Sequence, residues 1–212
     1  IFAGFITTAL VQSSSAITVM VVSFVNAGIL TLSESIGVIM GANIGTSITA
    51  WMIALVGFKF QNINLALIFS GMAFPFLFTR RPWLQQLATF VIGFGILFSG
   101  LHLIQISLPL EEVANIQEYL TSLLDRGFIS ILIAILAGLV FTLLLQSSTA
   151  AMAITMILLV QGWITFPIAA AMVLGENIGT TFTANVASAI ANVHSKRAAR
   201  FHLIFNFIGV VW

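Results

Sequence analysis

Apolar residues run almost unbroken from the first residue into the third decade of the chain, and the pattern returns six times. Bounded by charge, Gly or Pro, the runs cover 1–28, 30–57, 63–79, 84–108, 128–161 and 164–192, with a last, incomplete one from about 199. Segments of that length and polarity predict membrane-embedded helices. Between 109 and 127 the pattern changes. Val113, Ile116, Leu120, Leu123 and Leu124 recur at helical spacing with acids on the other face, which predicts an amphipathic helix lying in the interface. Trp51, Trp83, Trp163 and Trp212 fall near segment ends, where interfacial aromatic anchors belong. The chain opens and closes inside apolar runs, so both ends are expected to continue in a longer protein.

Polar residues inside such runs are expensive, and here they repeat. Placing Gln12 on Gln146 sets an offset of 134 (146 − 12), under which QSSSA (12–16) falls on QSSTA (146–150). The same offset lays GANIGTSITA (41–50) on GENIGTTFTA (175–184) without a gap, and Gly28 and Thr31 on Gly162 and Thr165. Chance likeness between apolar helices would match Leu, Ile, Val and Ala. These matches are mostly Gln, Ser, Thr, Asn and Gly, which marks a duplication: repeat one over 1–79, a connection over 84–127, and repeat two over 128–212, in a single transmembrane transport domain.

Composition narrows the class. Hydrophobic residues make up 60% of the chain and charged residues 6%, too few to clothe a soluble core. A net charge of +1, with cations scattered over short clusters, gives no footing for nucleic acid. There is no cysteine, so thiolate metal sites are excluded. His102, His194 and His202 share no ligand spacing with acids and read as structural. No Ser-His-Asp order, GxSxG or HExxH supports an intramembrane hydrolase, and the chain reads as no enzyme.

The basic residues set a topology. Residues 128–161 as one straight helix would reach about 51 Å, against a hydrocarbon core of about 30 Å. A re-entrant hairpin with QSST at its tip fits instead. Arg80 and Arg81 then share a side with Lys196, Arg197 and Arg200, as the positive-inside rule asks. Three crossings separate the two hairpins, an odd number, so the repeats are expected to be inverted, with both tips near the midplane. The expected fold is an all-α polytopic membrane protein of two inverted-topology repeats. Each has a re-entrant helical hairpin followed by a transmembrane helix broken at G-x-N-I-G-T.

A hairpin tip exposes backbone groups that only protein or a water-filled cavity can satisfy. Ser14 or Ser15, and Ser148 or Thr149, are placed to N-cap the second helix of each hairpin. Free amides at a helix N-terminus attract anions. Gln12, Ser13, Ser14 and Ser15, with Gln146, Ser147, Ser148 and Thr149, add donors that carry no fixed charge. Helix-to-helix hydrogen bonding is the competing use of such hydroxyls. An unwound turn at each G-x-N-I-G-T would free carbonyls to join Asn43, Thr46, Ser47, Asn177, Thr180 and Thr181 around a hard cation such as sodium. Close packing through the glycines is the other use of that motif. Glu176 breaks the symmetry, with Ala42 at its counterpart, and an acid at membrane depth is a candidate for holding a cation or a proton. Asn206, on an apolar background, reads as a helix-to-helix hydrogen bond.

The doubled motif pair resembles the type II sodium-phosphate cotransporters, particularly the bacterial members, over nearly the whole chain. The resemblance implies sodium-driven uptake of inorganic phosphate by alternating access, with phosphate at the two QSS[ST] tips and sodium nearby. Thr149 in place of a last Ser keeps the hydroxyl. Glu176 stands where eukaryotic members have a small polar residue, and it bears on sodium stoichiometry and proton coupling. Residues 90–104 look like the second-repeat counterpart of a helix expected upstream of Ile1. The implied setting is multi-pass in the bacterial inner membrane. The implied partners are phosphate, sodium as coupling ion and the lipid bilayer, with no other cofactor or metal; a homodimer is carried as one assembly. Sulfate or a dicarboxylate as substrate, and a phosphate sensor without transport, are the competing functions.

Overall fold

The computed structural model describes residues 1–57, 63–107 and 127–212. Every regular element among them is helical. In chain order these are α1 (Phe2–Val11), α2 (Ser14–Asn26), α3 (Leu32–Met52), α4 (Ile63–Ala73), α5 (Pro82–Ser107), α6 (Phe128–Leu145), α7 (Ser148–Val160), α8 (Phe166–Ala187) and α9 (Val193–Val211). A π-turn (Ile53–Gly57) extends α3 and a 3-10 turn (Phe74–Phe78) follows α4. The expected amphipathic helix lies outside the described residues.

Two compact units divide the chain. One comprises Ile1–Trp51 with Gln117–Trp212, the other Met52–Ile116. In the smaller unit α4 and its 3-10 turn pack along α5. In the larger unit α8 is the hub, packing against α2, α6, α7 and α9. Three of the described helical stretches are long and apolar enough to cross a membrane: Leu32–Leu55, Pro82–Gly100 and Phe128–Leu145. Large apolar side chains such as Phe2, Leu10, Phe128 and Leu144 point outward, while Thr8, Ser35, Ser130, Ser195, Ala198 and Ala199 are buried. Small and polar residues inside with large apolar ones outside is the packing logic of helices that meet in lipid.

The duplication is visible atom by atom. A Cβ on Gly4 would lie 2.0 Å from the Val38 carbonyl oxygen, and one on Gly138 2.0 Å from that of Met172. Likewise Gly41 meets Ile1 O at 1.9 Å and Gly175 meets Ile135 O at 1.8 Å. Gly45 and Gly179 each stand 2.7 Å from a threonine Cβ, of Thr8 and Thr142. Every pair obeys the 134 offset. The helices α1 and α3, and again α6 and α8, therefore meet backbone to backbone.

That contact corrects one expectation. GANIGT lies within α3 and GENIGT within α8, both continuous α-helix, so neither transmembrane helix is broken at the motif. The glycines serve close approach to a neighbouring helix rather than unwinding, and the carbonyls there remain inside helical turns. What is interrupted is the helix carrying each QSS motif. Residues 128–161 form two helices of 18 and 13 residues, parted at Gln146 and Ser147.

Helix α9 is tied to α2 at its start. The Asn192 N–H donates to Asn26 Oδ1 at 2.8 Å, and the Ser195 hydroxyl donates to the Val22 carbonyl at 3.1 Å. Ala199 then packs against Val22 and Ala184.

Candidate functional site

Gln12 and Gln146 are the only non-glycine residues with positive φ among the described ones, at φ 58 and φ 51. Each closes the preceding helix in the left-handed conformation. The Gln12 N–H donates to Thr8 O at 2.7 Å, and that of Gln146 to Thr142 O at 2.8 Å. The next residue swings out to extended backbone, Ser13 at φ −145 and Ser147 at φ −144. Its hydroxyl accepts the N–H three residues on, from Ala16 or Ala150, at 3.2 Å in both copies. The caps are thus Ser13 and Ser147, ahead of the expected Ser14 or Ser15 and Ser148 or Thr149, because the left-handed glutamine completes the turn by itself. Ser147→Ala is expected to cost about 1 kcal/mol of stability, the usual worth of such a cap, read as a lowered midpoint of thermal unfolding in detergent.

One cavity in the larger unit, of about 310 Å³, brings the two copies together. Ser15 of α2 lines it, with Thr142 of α6, Gln146, and Thr180 and Thr183 of α8. No lining residue carries a charge. The Thr142 hydroxyl is buried without a hydrogen-bond partner. The counterpart of Thr183 in the first copy, Thr49, donates its hydroxyl to Gln12 Oε1 at 2.7 Å, and Gln12 Nε2 donates to Ala9 O. The first glutamine is therefore held inside its own copy, while the second borders the cavity. Ser14 and Ser148 are buried at the starts of their helices, and Ser13, Ser147 and Thr149 are half-buried.

The cation candidates do not converge on one point. Asn43 donates through Nδ2 to Asn206 Oδ1 and accepts at Oδ1 from His202 Nε2 at 3.2 Å. Thr46 bonds the carbonyl of Ala42, Thr180 that of Asn177, and Thr181 that of Ile178, all within their own helices. Ser47 is exposed and Asn177 half-buried. Glu176 is 1% exposed; its Oε1 accepts the Thr155 hydroxyl at 2.7 Å, and its Oε2 has no partner. Of the seven, Thr180 is the one that lines the cavity. A group of three His, Cys, Asp or Glu able to hold a metal ion is absent among the described residues.

Asn206 makes the helix-to-helix hydrogen bond expected of it, with α3 as partner. Thr142, Thr183 and Thr155 were not singled out by sequence reasoning. The first two carried a usable signal, since the 134 offset also maps Thr8 onto Thr142 and Thr49 onto Thr183. Thr155 had none, as Val21 is its counterpart.

The chain matches the Na+/Pi-cotransporter family over residues 1–106 and 110–212. It is 35% identical over 206 residues to the Bacillus subtilis protein YqeW, which carries no functional name, covering 96% of this chain and 64% of that protein. It is 34% identical over 208 residues to the Escherichia coli protein YjbB, whose name provisionally assigns it inorganic phosphate export, covering 98% of this chain and 37% of that protein. A shorter stretch of 53 residues is 53% identical to the sheep sodium-dependent phosphate transport protein 2A, covering 25% of this chain and 8% of that protein. The chain thus spans about two thirds of the Bacillus relative and about a third of the E. coli one. No solved structure matches it.

Proposed function

The chain belongs to the Na+/Pi-cotransporter family, and from that premise we propose that it forms the core of a sodium-coupled transporter of inorganic phosphate. The observation that carries the reading is the uncharged cavity shared by Ser15 of the first copy and Gln146 of the second. Hydroxyl and carboxamide donors hold an oxyanion well enough to select it and loosely enough to release it. A buried cationic cage would trap it.

In this reading the helix pairs α1–α2 and α6–α7 are re-entrant hairpins of two inverted repeats, and the cavity opens alternately to either side of the bacterial inner membrane. Phosphate is held by donors among Gln12, Ser13, Ser14 and Ser15 and among Gln146, Ser147, Ser148 and Thr149. With α3 and α8 unbroken, sodium depends on side-chain oxygens, drawn from Asn43, Thr46, Ser47, Glu176, Asn177, Thr180 and Thr181. Uptake is the direction an inward sodium gradient would drive. Export is the second reading, which the provisional name of the E. coli relative supports.

Binding tests the substrate. Radiolabelled phosphate should bind the purified protein and be displaced by unlabelled phosphate, not by sulfate or succinate. Displacement by sulfate would replace phosphate with another oxyanion, and no binding would remove the reading. Glu176→Gln tests the cation side. A buried carboxylate oxygen without a partner is worth keeping only for a cation or proton, so the variant should need roughly tenfold more sodium for half-maximal transport, the loss expected of one charge-assisted contact. Identical sodium curves would make Glu176 a bystander.

A further inference from the structure

We propose that the first two turns of α9 form a docking surface for the headgroups of anionic phospholipids, through Lys196, Arg197 and Arg200. The helix has two faces along its length. Ser195, Ala198, Ala199, His202 and Asn206 are buried against the rest of the larger unit. On the opposite face, at 100° per residue, Arg197 and Arg200 are exposed and Lys196 half-exposed. That same outward face continues as Ile204, Phe207, Ile208 and Val211, each more than half exposed. One unburied stripe therefore changes from three cations to apolar side chains within about 6 Å, the rise of four residues. A stripe that switches so abruptly from charge to oil matches the passage from headgroup to acyl chain.

Among the described residues the cations have no counter-charge. Of the two acids among the described residues, Glu34 accepts from the Thr31 N–H and hydroxyl at 2.8 and 2.6 Å, and Glu176 is buried against Thr155. The three cations also sit at the helix end where the backbone dipole opposes positive charge. One backbone amide there is already taken, Asn192 Oδ1 accepting the Ser195 N–H at 2.9 Å. The side chains can fan around a phosphodiester, with guanidinium groups suited to paired oxygens.

The test uses the intact protein in phosphatidylcholine bilayers, with spin-labelled phosphatidylglycerol or phosphatidylcholine as probe and the motionally restricted fraction as readout. Phosphatidylglycerol should be preferred roughly fivefold, the worth of about one near-surface cation. The preference should fall towards parity in the Lys196→Gln, Arg197→Gln, Arg200→Gln triple variant. Millimolar inorganic phosphate at constant ionic strength should leave the wild-type preference intact. No preference in the wild type, or an unchanged one in the triple variant, overturns the proposal; loss of the preference to inorganic phosphate also overturns it, by assigning the cluster to the free ion. Should the triple variant fail to insert, Arg197→Gln and Arg200→Gln singly, both at exposed positions, give the same reading, each lowering the preference or refuting it.

Discussion

Adding one methyl group at position 175 should be among the most damaging single changes available in this chain. The Cβ of Gly175→Ala would lie 1.8 Å from Ile135 O, 2.7 Å from its carbon and 3.0 Å from its Cα, all backbone atoms that no rotamer change can move. Relief requires α6 and α8 to separate along a contact where a Cβ on Gly138 would meet Met172 O at 2.0 Å and one on Gly179 the Thr142 Cβ at 2.7 Å. Overpacking of a tight core costs up to about 3 kcal/mol and at times more, a large share of the 5–15 kcal/mol that typically separates folded from unfolded protein. The expected result is a sharp loss of monodisperse protein on solubilisation and a much lower midpoint of heat inactivation. Gly209 in α9 supplies the control. A Cβ there meets nothing within 4 Å, so Gly209→Ala should be neutral or stabilise by up to about 1 kcal/mol through helix propensity alone. A Gly175→Ala protein as stable as wild type would refute the backbone contact between α6 and α8.

Gln146→Gly should do the opposite, removing transport while sparing the fold. A non-glycine residue in the left-handed region costs roughly 1–2 kcal/mol, yet both copies place a glutamine there. Glycine takes that conformation without steric cost, so a site chosen for stability alone would carry it, as Gly28 and Gly162 do at φ 73 and 76. The carboxamide is then what the position retains glutamine for. Hydrogen bonds to a charged partner are worth about 1.5–3 kcal/mol, so phosphate affinity should fall roughly ten- to hundredfold while the unfolding midpoint holds or rises. Full affinity in the variant would take Gln146 out of the site.

Much of this was written in the sequence because polar groups in an apolar run need a reason. The 134 offset, the paired QSS motifs and the helix break at each of them follow from that cost, and the break is where the structure puts it. The glycine motifs were misread in part. Gly near Asn signals either an unwound turn or a close helix crossing, and the choice depends on whether another backbone lies alongside. That is a tertiary fact, supplied by Ile1 and Val38 in one copy and by Ile135 and Met172 in the other. The contacts of Asn43 with His202 and Asn206, and of Asn192 with Asn26, join residues about 160 positions apart, one in each copy. No periodicity announces such pairs, and the duplication cannot reveal what it does not duplicate. The Ser15–Gln146 cavity was foreseeable only in kind: two facing tips were expected, but which hydroxyls would border the space depends on the left-handed turn that shifts each cap by one residue.

The most direct test of the central claim is radiolabelled phosphate flux in proteoliposomes containing the intact protein, at fixed pH and with no membrane potential, with and without an inward sodium gradient. The account predicts phosphate accumulation above equilibrium that requires the gradient and disappears in Gln146→Gly. Flux that ignores sodium, or accumulation that survives loss of the Gln146 carboxamide, would contradict it.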